Sequence, residues 1–343
     1  MRITLDATYS LGENLSGVGV YSLQLMRALA AAHPDQPFTW CYRPHRYLRS
    51  FTSKLPPNAR RALLYGPFLP RPRDFFHGLN QRVPEIRFRR TVTTFHDLFV
   101  LTGDYSTPDF RRRFAGQARR AAAESDAIIA VSEFTARQVE ELLGVERRRI
   151  HVVHHGADHV PSAPAVPREN IVLHVGAVQK RKNIARLVEA FERAPAGWKL
   201  ALAGSQGFGA AEILARISAS PRRQDIQVLG YVSAPDLAQW YARARVFAFL
   251  SLDEGFGMPV LEAMAAGVPV IAARRAALPE VCGDAALLVD PEDVAAIAAA
   301  LELLMRDEEA AQRLVHAGLR REQEFRWAKA ATQTWRVYQL LAG

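Results

Sequence analysis

Apolar positions along the chain fall into two alternating patterns. Short, nearly continuous apolar runs end in polar residues: RITLDA, TVTTFHDL, AIIAVS and IHVVHHG in the first half. Between them lie longer stretches such as VYSLQLMRALAAA and SEFTARQVEELLG, whose apolar residues recur at three- and four-residue spacing. The runs predict buried strands and the longer stretches predict amphipathic helices. Ser132 is the expected N-cap of the second helix and Gly144 its C-terminal stop. The alternation starts afresh in the second half. NIVLHVG, WKLALAG, IQVLGYV, VFAFLS, VPVIAA and AALLVD read as strands, and NIARLVEAFERA, AAEILARISAS and APDLAQWYARA as helices. A further helix is expected over PEDVAAIAAALELLMRD, with Pro291 in its first turn, and a last one over RWAKAATQTWRVYQLLAG. Strands alternating with helices imply parallel sheets covered on both faces, an α/β class.

The chain has 343 residues, more than one ordinary core accommodates. The best linker candidate is ADHVPSAPAVPREN, residues 157–170, which has three prolines and no periodicity. The expected division is residues 1–160, residues 161–326, and a terminal helix over 327–343. In doubly wound sheets ligands bind beyond the carboxyl ends of the strands, so functional residues should sit on loops directly after strands.

Charge sharpens this picture. Residues 1–160 hold 23 Lys and Arg against 15 Asp and Glu, and the remainder holds 21 against 20. Clusters at 87–90, 111–120 and 147–149 carry much of the excess. Any one of them is an ordinary solvated face. The asymmetry as a whole points to an anionic partner for the first half: a phosphorylated lipid, an acidic glycan or a membrane surface. Nucleic acid is disfavoured, because no stacking aromatics interleave with the cations and no recognition motif appears. No basic-then-apolar leader precedes the first strand, and no apolar run is long enough to span a bilayer. Cys41 and Cys282 stand near no metal-ligand spacing. The expected setting is the cytoplasm, at the inner face of the cytoplasmic membrane if the anionic partner is a lipid.

The stretch FLSLDEGFGMPVLEAMAAGVPVIA, residues 249–272, concentrates the candidate chemistry. A buried strand should end here, followed by Asp253, Glu254 and the turn Gly255-Phe256-Gly257-Met258. Pro259 then suits the first turn of a helix that closes at Gly267. Glycines let backbone approach a ligand, and a helix N-terminus offers unpaired N–H groups to a diphosphate. Glu262 lies in the first turns of that helix, where its carboxylate reaches paired sugar hydroxyls. One Gly-x-Gly, or one glutamate near a helix start, would mean little. Both carboxylates and the turn in a single strand–loop–helix junction favour a nucleotide-sugar site.

This stretch resembles the Glu-x7-Glu motif of the family 4 (group 1) retaining glycosyltransferases, with Glu254 and Glu262 as the pair. LHVGAVQKRKNIARLVEAF is similar to the family's Gly…Arg-Lys-Asn segment, HVVHHGAD to its Asn-Gly-Val-Asp strand end, and AVSEFT and TTFHDL to its N-terminal positions. The resemblance implies the GT-B fold: two Rossmann-like doubly wound domains facing across a cleft. The first would bind acceptor and the second donor, and the last helix, with Trp327, Trp335 and Tyr338, would return to the first. It places Arg181 and Lys182 on the leaving diphosphate, where fixed cations stabilise developing negative charge. Glu254 would hold donor sugar hydroxyls and Glu262 ribose hydroxyls. The amides of Gly255, Phe256 and Gly257, beside Met258, would lie near phosphate and sugar, and Gly230, Tyr231 and Val232 near the nucleobase.

In the first domain the resemblance puts Gly17 and Gly19 in the loop after the first strand, near the donor phosphate. It puts His96, in TFHDL, near the reacting sugar. His77 is a weaker candidate of the same kind, and His154 and His155 read as structural. Many members carry an arginine directly after the glycine of the Arg-Lys-Asn segment. Here Ala177 follows Gly176, so that contact is absent or taken by Lys180. The implied reaction is transfer of a hexose, mannose as first choice, from a GDP- or UDP-linked donor to a glycan or lipid-linked acceptor in cell-surface polysaccharide synthesis. Neither cofactor nor metal is implied, and the departing phosphate takes the acceptor proton, so Glu254 need not be a nucleophile. The rivals are a sugar-nucleotide epimerase or phosphorylase of the same fold, a non-catalytic sugar-nucleotide binder, and a dehydrogenase. The last is disfavoured because the loop after the first strand lacks Gly-x-Gly-x-x-Gly.

Overall fold

The computed structural model describes residues 2–12, 14–158 and 166–342. The chain divides into two compact units. The first comprises Met1–Thr102, Pro108–Gly156 and Phe325–Gly343; the second comprises Gly103–Thr107 and Ala157–Glu324. Of the linker candidate 157–170, residues 159–165 lie outside the described residues.

The first unit holds seven strands: β1 (Ile3–Asp6), β2 (Phe38–Tyr42), β3 (Ala59–Leu63), β4 (Phe75–Gly78), β5 (Arg90–Phe95), β6 (Ala127–Ala130) and β7 (Ile150–Val152). All pair in parallel, in the order β3-β2-β1-β4-β5-β6-β7. The second unit holds six: β8 (Glu169–Val175), β9 (Lys199–Ala203), β10 (Ile226–Gly230), β11 (Ala244–Phe249), β12 (Val270–Ala273) and β13 (Leu287–Val289). They are parallel too, in the order β10-β9-β8-β11-β12-β13. In both sheets the chain winds outward from a central strand, returns, and winds the other way. The reversals fall between β1 and β4 and between β8 and β11, and at such points the loops diverge to leave a crevice. Each unit is a Rossmann-like layer structure of the GT-B kind.

Helices on both faces explain the apolar runs. Every residue of β4, β6 and β12 is buried. The core of the second unit packs Phe191, Trp198, Leu202, Val246 and Leu301 together. Local signals act as expected around the helix Glu133–Leu143. The Ser132 hydroxyl accepts from the Thr135 amide at 3.0 Å, and Gly144 takes the left-handed conformation, φ 66°.

Elsewhere the structure corrects the sequence reading. Strands β2, β3 and β4 and the helices Pro108–Glu124 and Glu308–Glu322 were not anticipated. Pro291 stands outside the helix Val294–Arg306, because the Asp293 carboxylate caps it by accepting from Ala296 N at 3.0 Å. Gly17 and Gly19 are not in a loop: they open the helix Gly17–Ala32, capped by Ser16.

The terminal helix, Trp327–Ala342, completes the first unit. His77, fully buried in β4, meets the Tyr338 hydroxyl at 2.5 Å through Nδ1 and Thr94 Oγ1 at 2.9 Å through Nε2. Both ring nitrogens are thus occupied, and burial holds the imidazole down at about 3. His77 fastens the helix to the sheet.

Candidate active site

In the second unit β8 ends at Val175, and the chain turns through Gly176 and a short 3-10 segment, Lys180–Lys182. Asn183 takes the left-handed conformation, φ 58°, and passes the chain into the helix Ile184–Phe191. On the adjacent strand β11 ends at Phe249 and leads to Asp253 and Glu254. Leu252 N donates to the Arg181 carbonyl at 2.8 Å, tying the two loops together over the switch point.

Three side chains converge there. The Arg181 guanidinium lies 2.8 Å from Glu254 Oε1 and also donates to the Asp253 carbonyl. The Lys182 ammonium donates to the same Glu254 oxygen and stands 4.6 Å from the centre of the Phe249 ring. All three residues are buried. Burial alone would raise the Glu254 carboxyl, but the charges of Arg181 and Lys182 override it and hold the group down to about 2. Glu254 is therefore a carboxylate at any physiological pH.

The helix Met258–Ala265 starts directly after the turn. Gly257 is its N-cap with φ 100°, and no side chain caps it. That φ strains any residue with a side chain, and a Cβ on Gly257 would also press on Leu278 Cδ2 at 2.6 Å, so the turn favours glycine. Gly255 and Phe256 are buried, and Met258 is half-buried. Glu262, one turn into the helix, accepts from the buried Tyr241 hydroxyl at 2.9 Å. Burial, with the carboxylate beside it, raises that phenol well above its ordinary value. Glu254 and Glu262 therefore occupy different environments, one held by cations and the other by a phenol.

Gly230 is the last residue of β10, and Tyr231 and Val232 follow it, at the same carboxyl edge of the sheet but beyond β9. Gly230 has φ 69°, and Tyr231 is exposed. Ala177 is half-buried, while Lys180 is exposed, with its Cβ close beside Gly209.

Two residues of this region escaped the sequence reading. His174, fully buried in β8, donates from Nδ1 to the Ala248 carbonyl at 3.0 Å, and its Nε2 has no hydrogen-bond partner among the described residues. Burial holds it down at about 4. Its signal was the lone histidine in LHVG. Tyr105 belongs to the short segment Gly103–Thr107 that joins the second unit. Burial and the nearby Asp253 raise its hydroxyl, against the lowering pull of Arg275 and Arg181.

In the first unit His96 follows β5 and is buried. Its Nε2–H donates to the Leu79 carbonyl at 2.9 Å, leaving Nδ1 as the bare nitrogen, and its ring meets Tyr21 edge-on at 4.6 Å. Burial holds it down at about 4, so it is neutral at pH 7. The Gly19 amide is taken by the Ser16 hydroxyl at 3.3 Å, and its Cα packs against the Tyr9 carbonyl. Gly17 is exposed on the same first turn. His155 sits between the rings of Tyr21 and Trp327, and His154 beside Phe325.

Among the described residues no group of three His, Cys, Asp or Glu could hold a metal ion, and no helix is long and apolar enough to cross a membrane.

Two family models match the chain: Glycosyl transferases group 1 over residues 158–321, and Glycosyltransferase Family 4 over residues 15–160. An O-antigen chain mannosyltransferase B of Escherichia coli is 30% identical, over 98% of this chain and 99% of its own. A serotype-specific mannosyltransferase of the same organism is 28% identical over 71% of this chain, which spans 32% of that protein's length. Among solved structures, a sucrose-phosphate synthase from Thermosynechococcus elongatus superposes with TM-score 0.78 at 23% identity, covering 99% of both chains. Anabaena HepE, in complex with UDP-glucose, superposes with TM-score 0.74 at 16% identity, covering 100% of this chain and 99% of its own.

Proposed function

The chain belongs to the group 1, family 4 glycosyltransferases, and we propose that it moves a hexose, mannose as first choice, from a GDP- or UDP-linked donor to an acceptor in cell-surface polysaccharide synthesis. The observation that carries this reading is the Glu254 carboxylate held between Arg181 and Lys182 at the switch point. The nearly full-length similarity to an O-antigen chain mannosyltransferase supports the sugar and the setting.

The buried cluster has a built-in exchange. With no donor bound, Glu254 neutralises both cations. A nucleoside diphosphate brings its own negative charge to Arg181 and Lys182, which frees Glu254 to accept hydrogen bonds from the sugar hydroxyls. As the bond from the anomeric carbon to the diphosphate oxygen breaks, charge builds on the leaving group, and the two fixed cations stabilise it more than they stabilise the ground state. The amides of Gly255 to Met258 add donors from the start of the helix. Glu262, oriented by Tyr241, accepts from the ribose hydroxyls.

The acceptor oxygen attacks the anomeric carbon from the face the diphosphate leaves, so configuration is retained. The acceptor proton passes to the departing phosphate oxygen. No protein nucleophile is required, and the role metals play on diphosphates elsewhere falls to Arg181 and Lys182. The acceptor is a glycan or lipid-linked saccharide carrying negative charge, met by the basic first unit at the inner face of the cytoplasmic membrane.

Purified protein is screened against GDP- and UDP-sugars by thermal shift, since a ligand that binds the native state raises Tm. Stabilising donors are then assayed for nucleoside diphosphate release with and without saccharide acceptor. Acceptor-dependent release is expected. Stabilisation by none of the donors, or turnover that leaves the nucleotide–sugar bond intact, overturns the reading.

A further inference from the structure

The first unit gathers cations and exposed apolar side chains on one short length of chain. Between Asp35 and Asp74 there are eight Lys and Arg and no Asp or Glu. Among the described residues five large apolar side chains are more than half exposed, and four lie in this stretch: Leu48 (82%), Phe51 (60%), Tyr65 (53%) and Phe68 (66%). They come from two segments that follow β2 and the edge strand β3. The beginnings of these segments, with Arg43 and His45 on one side and Tyr65 on the other, line a single cavity of about 380 Å³.

The geometry holds these side chains outward. Arg61 donates to the Ser50 carbonyl at 3.0 Å and lies 5.3 Å over the Phe51 ring, which fixes the turn Leu48–Thr52. The cations keep almost no carboxylate company: among the described residues the stretch makes one ion pair, Arg43 with Asp6 at 3.5 Å. In the cavity Arg82 stands over the Tyr9 ring at 5.6 Å, and among the described residues it has no carboxylate partner and the buried Nε of Arg43 no hydrogen-bond partner. The clusters singled out by charge alone differ. Arg90, Arg112, Arg120, Arg147 and Arg148 each pair with an acidic residue.

We propose that this face docks on an anionic phospholipid bilayer. Leu48, Phe51, Tyr65 and Phe68 enter the interfacial layer, the surrounding arginines meet headgroup phosphates, and the cavity admits one headgroup. Apolar side chains this exposed gain from leaving water, and unpaired cations gain from a negative surface. A second copy of the chain is a poor occupant, because a two-fold contact would set like charge against like. The proposal deepens the reading above, resting on an acceptor presented at a membrane, and it assigns that contact to residues 43–73 and Arg82 rather than to the arginine clusters further along.

The test is co-sedimentation of the full chain with vesicles of phosphatidylcholine alone or mixed with phosphatidylglycerol. Binding to the anionic vesicles only, weakened by salt, is expected. Each cation near a membrane contributes roughly fivefold to partitioning, so Arg46→Glu with Arg49→Glu should lower it by tenfold or more. Leu48→Ser with Phe68→Ser, which leaves charge unchanged, should do likewise, while Arg112→Glu with Arg120→Glu should not. Thermal shift with the stabilising donor reports whether each variant is folded and keeps its second unit intact. Binding to neither or to both vesicle types, or face variants that bind like the parent, overturns the proposal. Absence of donor stabilisation in every variant and in the parent speaks against the transferase reading and leaves the vesicle result standing.

Discussion

Arg181 and Glu254 lie 2.8 Å apart, Nη1 to Oε1, with side chains about nine-tenths buried, and Lys182 shares the same carboxylate oxygen. A charge of one sign held by two of the other, out of water, is secure only while all three are present. Glu254→Gln keeps the shape and removes the negative charge, leaving two cations uncompensated. Breaking a buried pair costs about 3–5 kcal/mol. The variant should melt lower, and added nucleoside diphosphate should recover more Tm in it than in the parent, because the ligand replaces the lost charge. A melting point equal to the parent's would show that the cluster contributes nothing to the fold.

Lys182→Ala and Arg181→Ala remove cations that act on the leaving group. Either should lower kcat by about 10²–10³-fold, the usual cost of losing one aimed electrostatic contact. Single-turnover measurement of nucleoside diphosphate release, at saturating donor, isolates that step from binding.

Tyr241→Phe deletes only the hydroxyl that orients Glu262. Donor affinity should weaken about tenfold, the order of one hydrogen bond to a charged group. The kcat at saturation should change little, and titration calorimetry with steady-state kinetics separates the two effects.

Stability should fall with acid in two stages. His77, His96 and His174 are neutral in the fold, held at about 3, 4 and 4 from an ordinary 6.5. The unfolded chain binds those protons near pH 6.5 while the folded chain still refuses them, so stability complete above 6.5 is lost as pH falls toward 4. Glu254 is depressed from 4.5 to about 2, so its contribution is present above 4.5 and lost between there and 2. Chemical denaturation across pH should show both windows, and Glu254→Gln should flatten the lower one.

Backbone approach gives a further contrast. A Cβ on Gly204 would lie 2.1 Å from the Gly176 carbonyl oxygen, between the ends of β8 and β9. Gly204→Ala must separate those ends and should cost about 3 kcal/mol. Gly144→Ala meets nothing within 4 Å and only strains a positive φ, so about 1 kcal/mol is expected. Urea titrations distinguish the two.

What could be read from the sequence follows how local each signal is. All six strands of the second unit were recoverable because each is an apolar run bounded by polar residues or glycine. Arg181, Lys182 and Glu254 were named through the resemblance to the Arg-Lys-Asn and Glu-x7-Glu motifs; that the three meet follows from β8 and β11 being neighbours in the sheet, which no local signal states. Strands β2 to β4 were lost for different reasons. Thr39 interrupts the apolar run of FTWCY, ARRAL carries two arginines because β3 is an edge, and FFHG has only two apolar residues before His77 and Gly78. The helix Pro108–Glu124 was hidden by its arginines, which read as charge rather than as one face of a helix. The Glu262 partner Tyr241 was invisible because it arrives from another helix, and Gly17 and Gly19 misled because a helix start and a glycine loop look alike.

The first unit's sheet is braced by a strut that ribosomes make only after the whole second unit. Tyr338 seats on His77, 261 positions earlier, whereas nearly all of the second unit is one unbroken span. During synthesis the later unit can therefore finish before the earlier one, which must wait with a bare flank until the helix Trp327–Ala342 has been made. Chaperone dependence of a newly made chain should accordingly centre on its beginning, and removing the last seventeen residues should injure the part furthest away in sequence.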